Sequence, residues 1–148
     1  MTGLPNRIHF HELVKLALLD SKSKNKSVAV LLLDLDRFKD INDTFGHHRG
    51  DFLIQKVGFR LKEALRPSDV VARLGGDEFG ILLPLSSADD AAFVARKIAK
   101  TLEKPIELDG LPIAVETSTG VALFPRDGED PDTLIRRADV AMYHAKKF

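Results

Sequence analysis

The apolar run Val28 to Leu33 constrains the fold of this chain more than any other segment. An unbroken run of this kind predicts a central strand that is buried on both faces of a sheet. The run ends in Asp34-Leu35-Asp36, and because alternate strand residues point the same way, we expect Asp34 and Asp36 to share a face. Two neighbouring carboxylates repel each other unless a cation lies nearby. The plainer alternative is an Asp pair that only caps a following helix.

A tight turn with two glycines and two acids, Gly75 to Glu78, lies between two apolar runs. The runs, roughly Val70 to Leu74 and Phe79 to Leu83, predict the two strands of a β-hairpin. Glycines let the backbone approach a bulky polyanion, whereas acids hold a phosphate only through a divalent cation. Taken alone, the turn could equally be a solvated hairpin loop. Together with the strand-end acids it indicates an oxygen-rich site for Mg²⁺.

Further short motifs follow one another along the chain. They are Thr2-Gly3-Leu4-Pro5-Asn6-Arg7, Asp34 to Lys39, Ile41-Asn42-Asp43, Gly46-His47, Gly50-Asp51, Gly75 to Phe79, Arg137-Ala138-Asp139 and Ala141 to Lys146. In order and spacing, this set resembles the GGDEF family of diguanylate cyclases over essentially the whole chain. The resemblance implies a single GGDEF domain over residues 1–148.

Composition limits the class of protein and its partners. A chain of 148 residues is long enough for one buried core and too short for two domains. The 22 basic and 22 acidic residues balance, so we expect neither a nucleic acid polymer nor direct membrane contact. The absence of cysteine excludes a disulfide scaffold and a cysteine-ligated zinc, and it fits a reducing cytoplasm. No apolar run is long enough to span a membrane, and no signal peptide is visible.

The resemblance also implies a larger parent protein. The family's entry motif begins before Met1 and its closing motif continues beyond Phe148, so we expect a piece excised from a multidomain signalling protein. Sensor or phosphodiesterase domains are the attached parts that the family implies. We expect a cytoplasmic domain, either free or as the cytoplasmic part of a membrane-anchored parent.

Hydrophobic periodicity and turn residues predict the order of elements. The first predicted elements are a helix from Pro5, the strand ending at Asp34, a helix over Phe38 to Phe45, and a longer helix that carries an apolar stripe over Phe52 to Leu65 and ends before Pro67. After the hairpin come a helix over Ala91 to Leu102, strands Ile106 to Leu108 and Ile113 to Leu123 joined by Asp109-Gly110, and a helix from Pro131. This order is typical of an α+β fold with a mostly antiparallel sheet flanked by helices. The resemblance sharpens it to the palm-like, ferredoxin-related fold of nucleotidyl cyclases.

The reaction of the family joins two GTP molecules into cyclic di-GMP and releases two pyrophosphates. Each step is an attack by a ribose 3′-hydroxyl on an α-phosphate. The resemblance assigns two Mg²⁺ or Mn²⁺ ions per active site to Asp34, the Leu35 carbonyl, Asp77 and Glu78. Asp77 is the candidate base, and Glu78 is a further catalytic acid.

The resemblance also places residues around the triphosphate. Gly75 and Gly76 would let the backbone approach the substrate. Lys39, which we also count as catalytic, and Lys146 would bind the phosphates as point charges. Each lysine could instead be an ordinary solvated side chain.

Hydrogen-bonding groups can distinguish guanine from adenine. An ionised carboxylate only accepts hydrogen bonds, and guanine offers neighbouring N1–H and N2–H donors that adenine lacks. The resemblance gives this contact to Asp51, the rest of the base edge to Asn42 and a neighbouring substrate position to His47. The alternatives are a polar helix residue for Asn42 and a helix-end cap for His47.

Arg66-Pro67-Ser68-Asp69 resembles the inhibitory product site of the family. Arginine can grip guanine or phosphate with two donors, and Asp can accept from guanine. Lys97 stands where the family often has a second arginine. An Arg–Asp salt bridge around a turn is the alternative for this tetrapeptide.

The resemblance implies that each chain binds one GTP. Catalysis would therefore need a second copy of the domain as partner. Two alternatives to an active diguanylate cyclase remain open. One is a domain that binds GTP or cyclic di-GMP and regulates an attached phosphodiesterase. The other is a cyclase that joins different nucleotides.

Overall fold

The computed structural model describes the backbone of residues 3–147 and the side chains of residues 3–146. Predictions that involve Met1, Thr2 and Phe148 lie outside the described residues. The elements in chain order are α1 (Arg7–Lys24), β1 (Val28–Leu35), α2 (Phe38–Phe45), α3 (His47–Ala64), β2 (Val70–Gly75), β3 (Glu78–Leu83), α4 (Ala88–Leu102), β4 (Ile106–Leu108), β5 (Leu111–Ile113), β6 (Thr117–Phe124) and α5 (Pro131–Lys147).

Four strands form one antiparallel sheet in the order β2-β3-β1-β6. Strand β3 lies between β1 and β2, and helices connect β1 to β2 and β3 to β6. This is the strand order of a ferredoxin-like split βαβ arrangement. The predicted fold class, an α+β fold with a mostly antiparallel sheet, is therefore confirmed.

Strand β1 is buried at every position because helices cover both faces of the sheet. Leu31 and Leu33 belong to the cluster that includes residues of α2, α3 and α4. Val30 and Leu32 belong to the other cluster, which includes residues of α1 and α5. Each fully buried leucine contributes about 1.5–3 kcal/mol, and a one-residue slip would move every side chain to the opposite face. Burial thus fixes the face on which Asp34 lies.

Helix α5 lies directly on the backbone of β6. A Cβ added at Gly120 would come within 2.0 Å of the Ala138 carbonyl oxygen and 2.3 Å of the Met142 nitrogen. Only glycine permits so close an approach. The last turns of α5, with Lys146, are thereby held beside the end of β1.

Periodicity predicts each helix after α1, but α3 begins at His47, ahead of its apolar stripe from Phe52, and ends at Ala64. Helix α2 occupies the predicted residues Phe38–Phe45, α4 covers the predicted stretch and α5 begins at Pro131. Gly46, with φ of +88°, separates α2 from α3. Within residues 3–147, no helix combines the length and the apolar character that crossing a membrane would need.

The first helix begins later than predicted. The sequence predicts a start at Pro5, whereas α1 begins at Arg7. The Asn6 side chain accepts a hydrogen bond from the His9 N–H at 2.9 Å, so Asn6 is the N-cap and Pro5 precedes it. A polar cap of this kind satisfies one of the free N–H groups of the first turn.

The predicted strand over Ile113 to Leu123 is wrong as a single element. Asp109 and Gly110 have φ of +52° and +81° and form a two-residue turn, so β5 pairs with β4 immediately after it. The chain then leaves that small sheet, and β6 begins at Thr117 opposite Leu35 of β1. Two different pairing partners divide one run of strand-forming residues.

Candidate active site

The glycine-rich turn joins β2 and β3 through two residues, Gly76 and Asp77. Gly76 has φ of +31°, a conformation in which a side chain would be strained. Arg73 donates from Nε and Nη2 to the Gly76 carbonyl oxygen at 3.2 and 2.9 Å. These two hydrogen bonds from the Arg73 guanidinium therefore stabilise the turn that contains Asp77.

Strand pairing places this turn beside the end of β1. Asp34 lies opposite Glu78 in the β1–β3 register. The Leu35 N–H donates to the Asp77 carbonyl oxygen at 3.2 Å. No reciprocal hydrogen bond from the Asp77 N–H to the Leu35 carbonyl oxygen forms within the described residues. Acids from two distant segments thus meet at one point.

The carboxyl groups of Asp34 and Asp77 interact directly. Burial raises the pKa of Asp77 to about 6, and Asp34 adds to the shift as a hydrogen-bond acceptor and as a like charge. The Asp34 side chain is 12% exposed, and its Oδ1 is buried without a hydrogen-bond partner. The pair therefore resists carrying two negative charges without a compensating cation.

Lys146 provides the neighbouring positive charge. Its Nζ donates to Asp34 Oδ2 from the end of α5. This hydrogen bond raises the pKa of Lys146, and the charges of Asp36 and Asp77 act in the same direction. We predicted that Lys146 binds the triphosphate tail, whereas in this structure it is hydrogen-bonded to Asp34, a candidate metal ligand.

Asp36 lies one residue beyond β1. Its Oδ1 accepts a hydrogen bond from Ser118 Oγ at 2.9 Å, and its N–H donates to the Glu116 carbonyl oxygen at 2.8 Å. Lys146 experiences the charges of both Asp34 and Asp36. The strand end therefore concentrates negative charge around one ammonium group.

Glu78 contacts α1. Arg7 Nη2 donates to Glu78 Oε1 at 3.2 Å. Burial raises the pKa of Glu78, while the charge of Arg7 opposes that shift. Among the residues that the structure describes, no three Asp, Glu, His or Cys side chains are arranged to hold a metal ion. Asp34 and Asp77 meet, and Glu78 does not complete a cluster with them.

The donor set nevertheless fits a hard divalent cation. Asp34 Oδ1 is a buried carboxylate oxygen without a partner, and the Asp77 carboxyl group lies next to it. The Leu35 carbonyl oxygen belongs to the same strand end. Oxygen atoms of these kinds are the ligands that Mg²⁺ and Mn²⁺ prefer, with water and substrate phosphates as further ligands.

Helices α2 and α3 form a second part of the site around Asn42. A Cβ at Gly50 would lie 1.8 Å from Asn42 Oδ1, so the amide occupies the space that the glycine leaves. This Oδ1 is buried without a hydrogen-bond partner. Asp51 follows Gly50 on α3 and is exposed. The structure therefore brings Asn42 and the Asp51 segment together.

His47 and Lys39 lie at the exposed starts of two helices. His47 is the first residue of α3, and no side chain caps that helix, so the cap that was its alternative is not formed. Lys39 is exposed in the first turn of α2. Neither side chain has a hydrogen bond or ion pair within the described part of the chain.

The three residues of the predicted inhibitory site line one cavity of about 240 Å³. The Arg66 N–H and Nη2 donate to the two carboxylate oxygens of Asp69 at 3.0 and 3.2 Å. The side chain of Asp69 is almost fully buried, whereas 62% of the Arg66 side chain is exposed. Lys97 lines the cavity from α4, and Phe93 adds an aromatic wall. The salt bridge and the cavity are both present.

Comparison with known proteins identifies the family. A family model described as "Diguanylate cyclase, GGDEF domain" matches residues 1–148. The chain belongs to the GGDEF domain family. Diguanylate cyclase TpbB of Pseudomonas aeruginosa is 44% identical over 149 residues, which cover 99% of this chain and 34% of that protein. Cyclic di-GMP phosphodiesterase NbdA of the same species is 40% identical, over 99% of this chain and 19% of that protein.

Solved GGDEF domains have the same fold. The crystal structure of the TpbB GGDEF domain matches with a TM-score of 0.96, over 99% of this chain and 92% of that one. The GGDEF domain of DgcB from Caulobacter crescentus, in complex with c-di-GMP, matches at 29% identity with a TM-score of 0.90, over 99% and 87%. This GGDEF domain spans about a third of the length of full-length TpbB.

Sequence reasoning missed the contacts that arrange this GGDEF domain's site. Arg7 binds Glu78 across 71 positions of sequence, and Arg73 holds the turn from within β2. Arg7 belongs to the entry motif, but nothing local to it indicates its partner. Gly50 was part of a motif, and its packing against Asn42 becomes visible only when two helices are placed side by side.

Proposed function

We propose that this domain is a diguanylate cyclase that condenses two GTP molecules into cyclic di-GMP and two pyrophosphates. The observation that carries the proposal is the meeting of the Asp34 and Asp77 carboxyl groups, which come from different strands. Their mutual repulsion and the unpartnered Asp34 Oδ1 favour a bound divalent cation. The relative TpbB, named a diguanylate cyclase, supports the same reaction.

The surface around Asn42 and Asp51, where α2 meets α3, would bind the guanine base. The Asp51 carboxylate can accept from the neighbouring N1–H and N2–H donors, which adenine does not offer. Asn42 would contact the rest of the base edge. Its side chain packs against Gly50, and this contact fixes the direction of its amide. His47, exposed at the start of α3, lies between these two in sequence and would contact the nucleotide nearby.

The phosphates would extend from this surface toward the end of β1. Lys39, exposed in the first turn of α2, and Lys146 at the end of α5 would bind them as point charges. Gly75 and Gly76 expose the backbone of the turn, since a Cβ at either would contact nothing within 4 Å. The substrate therefore has an open approach between two lysines and two acids.

Each chemical step exchanges one bond at an α-phosphorus. The ribose 3′-oxygen of one nucleotide bonds to the α-phosphorus of the other, the bond to the β-phosphate oxygen breaks, and pyrophosphate leaves. Asp77 or solvent takes the proton of the attacking hydroxyl. Mg²⁺ or Mn²⁺, two per site on Asp34, the Leu35 carbonyl, Asp77 and Glu78, would neutralise developing charge on the phosphate oxygens. Two such steps close the cyclic dinucleotide.

The reaction needs two copies of the domain. The surface around Asn42 and Asp51 would hold one guanine, so the second GTP would come from a facing chain. The two chains would present their strand ends to each other, and the pair would act in the cytoplasm, where GTP is available. Dimer formation and turnover should therefore depend on protein concentration.

Product inhibition is the finer part of the proposal. Arg66 is largely exposed beside the cavity that Asp69 and Lys97 also line, and its guanidinium could grip a guanine edge or a phosphate of cyclic di-GMP. The DgcB domain, solved in complex with c-di-GMP, supports a site for this dinucleotide in the family. Lys97 would contribute charge without the two-donor geometry of arginine.

A second candidate is a domain that binds GTP or cyclic di-GMP and regulates an attached phosphodiesterase. The relative NbdA, named a cyclic di-GMP phosphodiesterase, favours keeping this candidate. The presence of Asp34 and Asp77 at one point favours catalysis.

Incubation with GTP and Mg²⁺ or Mn²⁺ separates the two candidates. The cyclase yields one cyclic di-GMP and two pyrophosphates for every two GTP consumed, as identified by mass spectrometry. A regulatory domain binds nucleotide in calorimetry but leaves GTP intact. Substituting ATP for GTP tests the third alternative, a cyclase for other nucleotides.

A further inference from the structure

The ammonium group of Lys146 occupies the carboxylate that the proposed metal would use. Its Nζ donates to Asp34 Oδ2, and the Asp34 side chain is 12% exposed. Gly120 lets α5 lie on β6, so the helix that carries Lys146 cannot easily withdraw as a unit. The Lys146 side chain itself is 39% exposed and has a flexible four-carbon stem. It can leave Asp34 without moving α5.

The charge balance at the end of β1 depends on this one side chain. Asp34, Asp36 and Asp77 all act on Lys146. Arg7, a basic residue of α1, is hydrogen-bonded to Glu78 instead. Within the described residues, Lys146 is the only cation hydrogen-bonded to the Asp34 and Asp77 pair.

We propose that Lys146 is an exchangeable counter-charge, which neutralises Asp34 until a divalent ion takes its place and is then released toward the triphosphate. The inference rests on the proposed function, because it assumes that the Asp34 and Asp77 pair binds the metal. Lys146 is bound to Asp34 Oδ2, and the unpartnered Oδ1 is the oxygen open to a metal. A divalent cation and an ammonium group on the two oxygens of one carboxylate repel each other, so binding of the first displaces the second.

The exchange couples metal and nucleotide binding. Without nucleotide, the ion must compete with Lys146 for Asp34, which weakens metal binding. Once displaced, the ammonium group is free for phosphate oxygens. By reciprocity of linked equilibria, the triphosphate that captures Lys146 strengthens metal binding by the same factor. Lys146 is thus a positioning residue for both ligands.

Metal binding to Lys146→Met in the absence of nucleotide tests the exchange. Methionine keeps the length and the apolar packing of the stem but removes the charge. Calorimetric titration with Mn²⁺ alone should show affinity about fivefold tighter than in the unmodified protein, equivalent to about 1 kcal/mol for a partly exposed ion pair. Lys100→Met, on the exposed surface of α4, removes the same charge and should leave Mn²⁺ affinity within twofold.

Thermal unfolding provides a second readout. Without metal, Lys146→Met should melt at a lower temperature than the unmodified protein, because Asp34 and Asp77 lose their counter-charge. Added Mn²⁺ should raise its melting temperature by more than it raises that of the unmodified protein.

The outcomes separate the inference from the function on which it rests. If Mn²⁺ binds the unmodified protein and Lys146→Met binds it equally or more weakly, the exchange is wrong while the proposed metal site stands. If neither protein binds Mn²⁺ at millimolar concentration, the proposed metal site fails and the exchange fails with it.

Discussion

Asn42 Oδ1 lies in the space that a side chain on residue 50 would fill. An ideal Cβ at Gly50 would come 1.8 Å from that oxygen and 3.0 Å from Asn42 Cγ. A methyl group there must displace the amide, since a separation of 1.8 Å is far below van der Waals contact. The absence of a side chain on α3 therefore sets the direction of a side chain on α2.

Gly50→Ala should weaken GTP binding by about tenfold, the effect of losing one well-placed hydrogen-bonding group. Direct titration with a non-hydrolysable GTP analogue measures it. Gly58→Ala is the matched control on the same helix, because its Cβ would meet only a Leu4 methyl at 3.2 Å and Phe79 Cε1 at 3.5 Å. In an Asn42→Ala background, Gly50→Ala should cause no further loss. An undiminished loss in that background would show that the glycine acts on something other than Asn42.

Asp51→Ala should relax base selection. The carboxylate is the group that would accept from two guanine donors, so its removal should reduce the preference for GTP over ATP by about tenfold or more. Competition between the two nucleotides in a binding assay gives the ratio. Asp43→Ala, an exposed acid on α2, should leave the ratio unchanged. An unaltered ratio in Asp51→Ala would remove Asp51 from the guanine contact.

Arg66→Ala should relieve inhibition by cyclic di-GMP. The inhibition constant should rise by about tenfold or more, because a charged two-donor group leaves the cavity. Stability should change little, since the Arg66 backbone N–H still donates to Asp69 at 3.0 Å. Arg126→Ala, an exposed arginine that also pairs with an aspartate, is the control. Equal inhibition of all three proteins would make the Arg66–Asp69 pair purely structural.

The contribution of Asp127 to the free energy of unfolding should decrease at acidic pH. Its Oδ2 accepts from the Leu123 N–H at 2.8 Å and closes the free edge of β6 there. The Arg126 hydrogen bond lowers the pKa of Asp127 below its usual 3.8. A lowered folded-state pKa contributes stability that is present above about pH 4 and is lost as pH falls through the folded value.

Asp127→Ala should therefore reduce the free energy of unfolding by about 1–2 kcal/mol at pH 7, with a smaller loss near pH 3. Urea titrations at both pH values measure the difference. Glu129→Ala, a nearby exposed acid, should show no such pH-dependent loss. A constant difference for Asp127→Ala from pH 7 to pH 3 would contradict the account.

The fold was largely predictable because its signals are local. The apolar run of β1 indicated burial on both faces, and the hairpin runs, the stop at Gly46 and the start at Pro131 marked elements without reference to distant residues. The division between β5 and β6 was not predictable in this way. It follows from which strands pair, and the three residues that separate β5 from β6, Ala114, Val115 and Glu116, include no glycine or proline that would reveal it.

The meeting of Asp34 with the glycine-rich turn was predictable from the strand ends. Asp34 and the turn meet because a buried strand and a hairpin in one sheet must end together. The partners of those acids were not predictable. Lys146 reaches Asp34 across 112 positions of sequence, and Arg7 reaches Glu78 across 71, through helix packing that no local pattern records.

The central claim is that the Asp34 and Asp77 carboxylates form the catalytic centre for joining GTP. Cyclic di-GMP formation by Asp77→Asn, which keeps the shape of the side chain and removes its charge, tests that claim most directly. With GTP and Mg²⁺, the variant should fold, bind GTP and lose roughly 10²–10⁴-fold in turnover relative to the unmodified protein. Turnover equal to that of the unmodified protein would contradict the account.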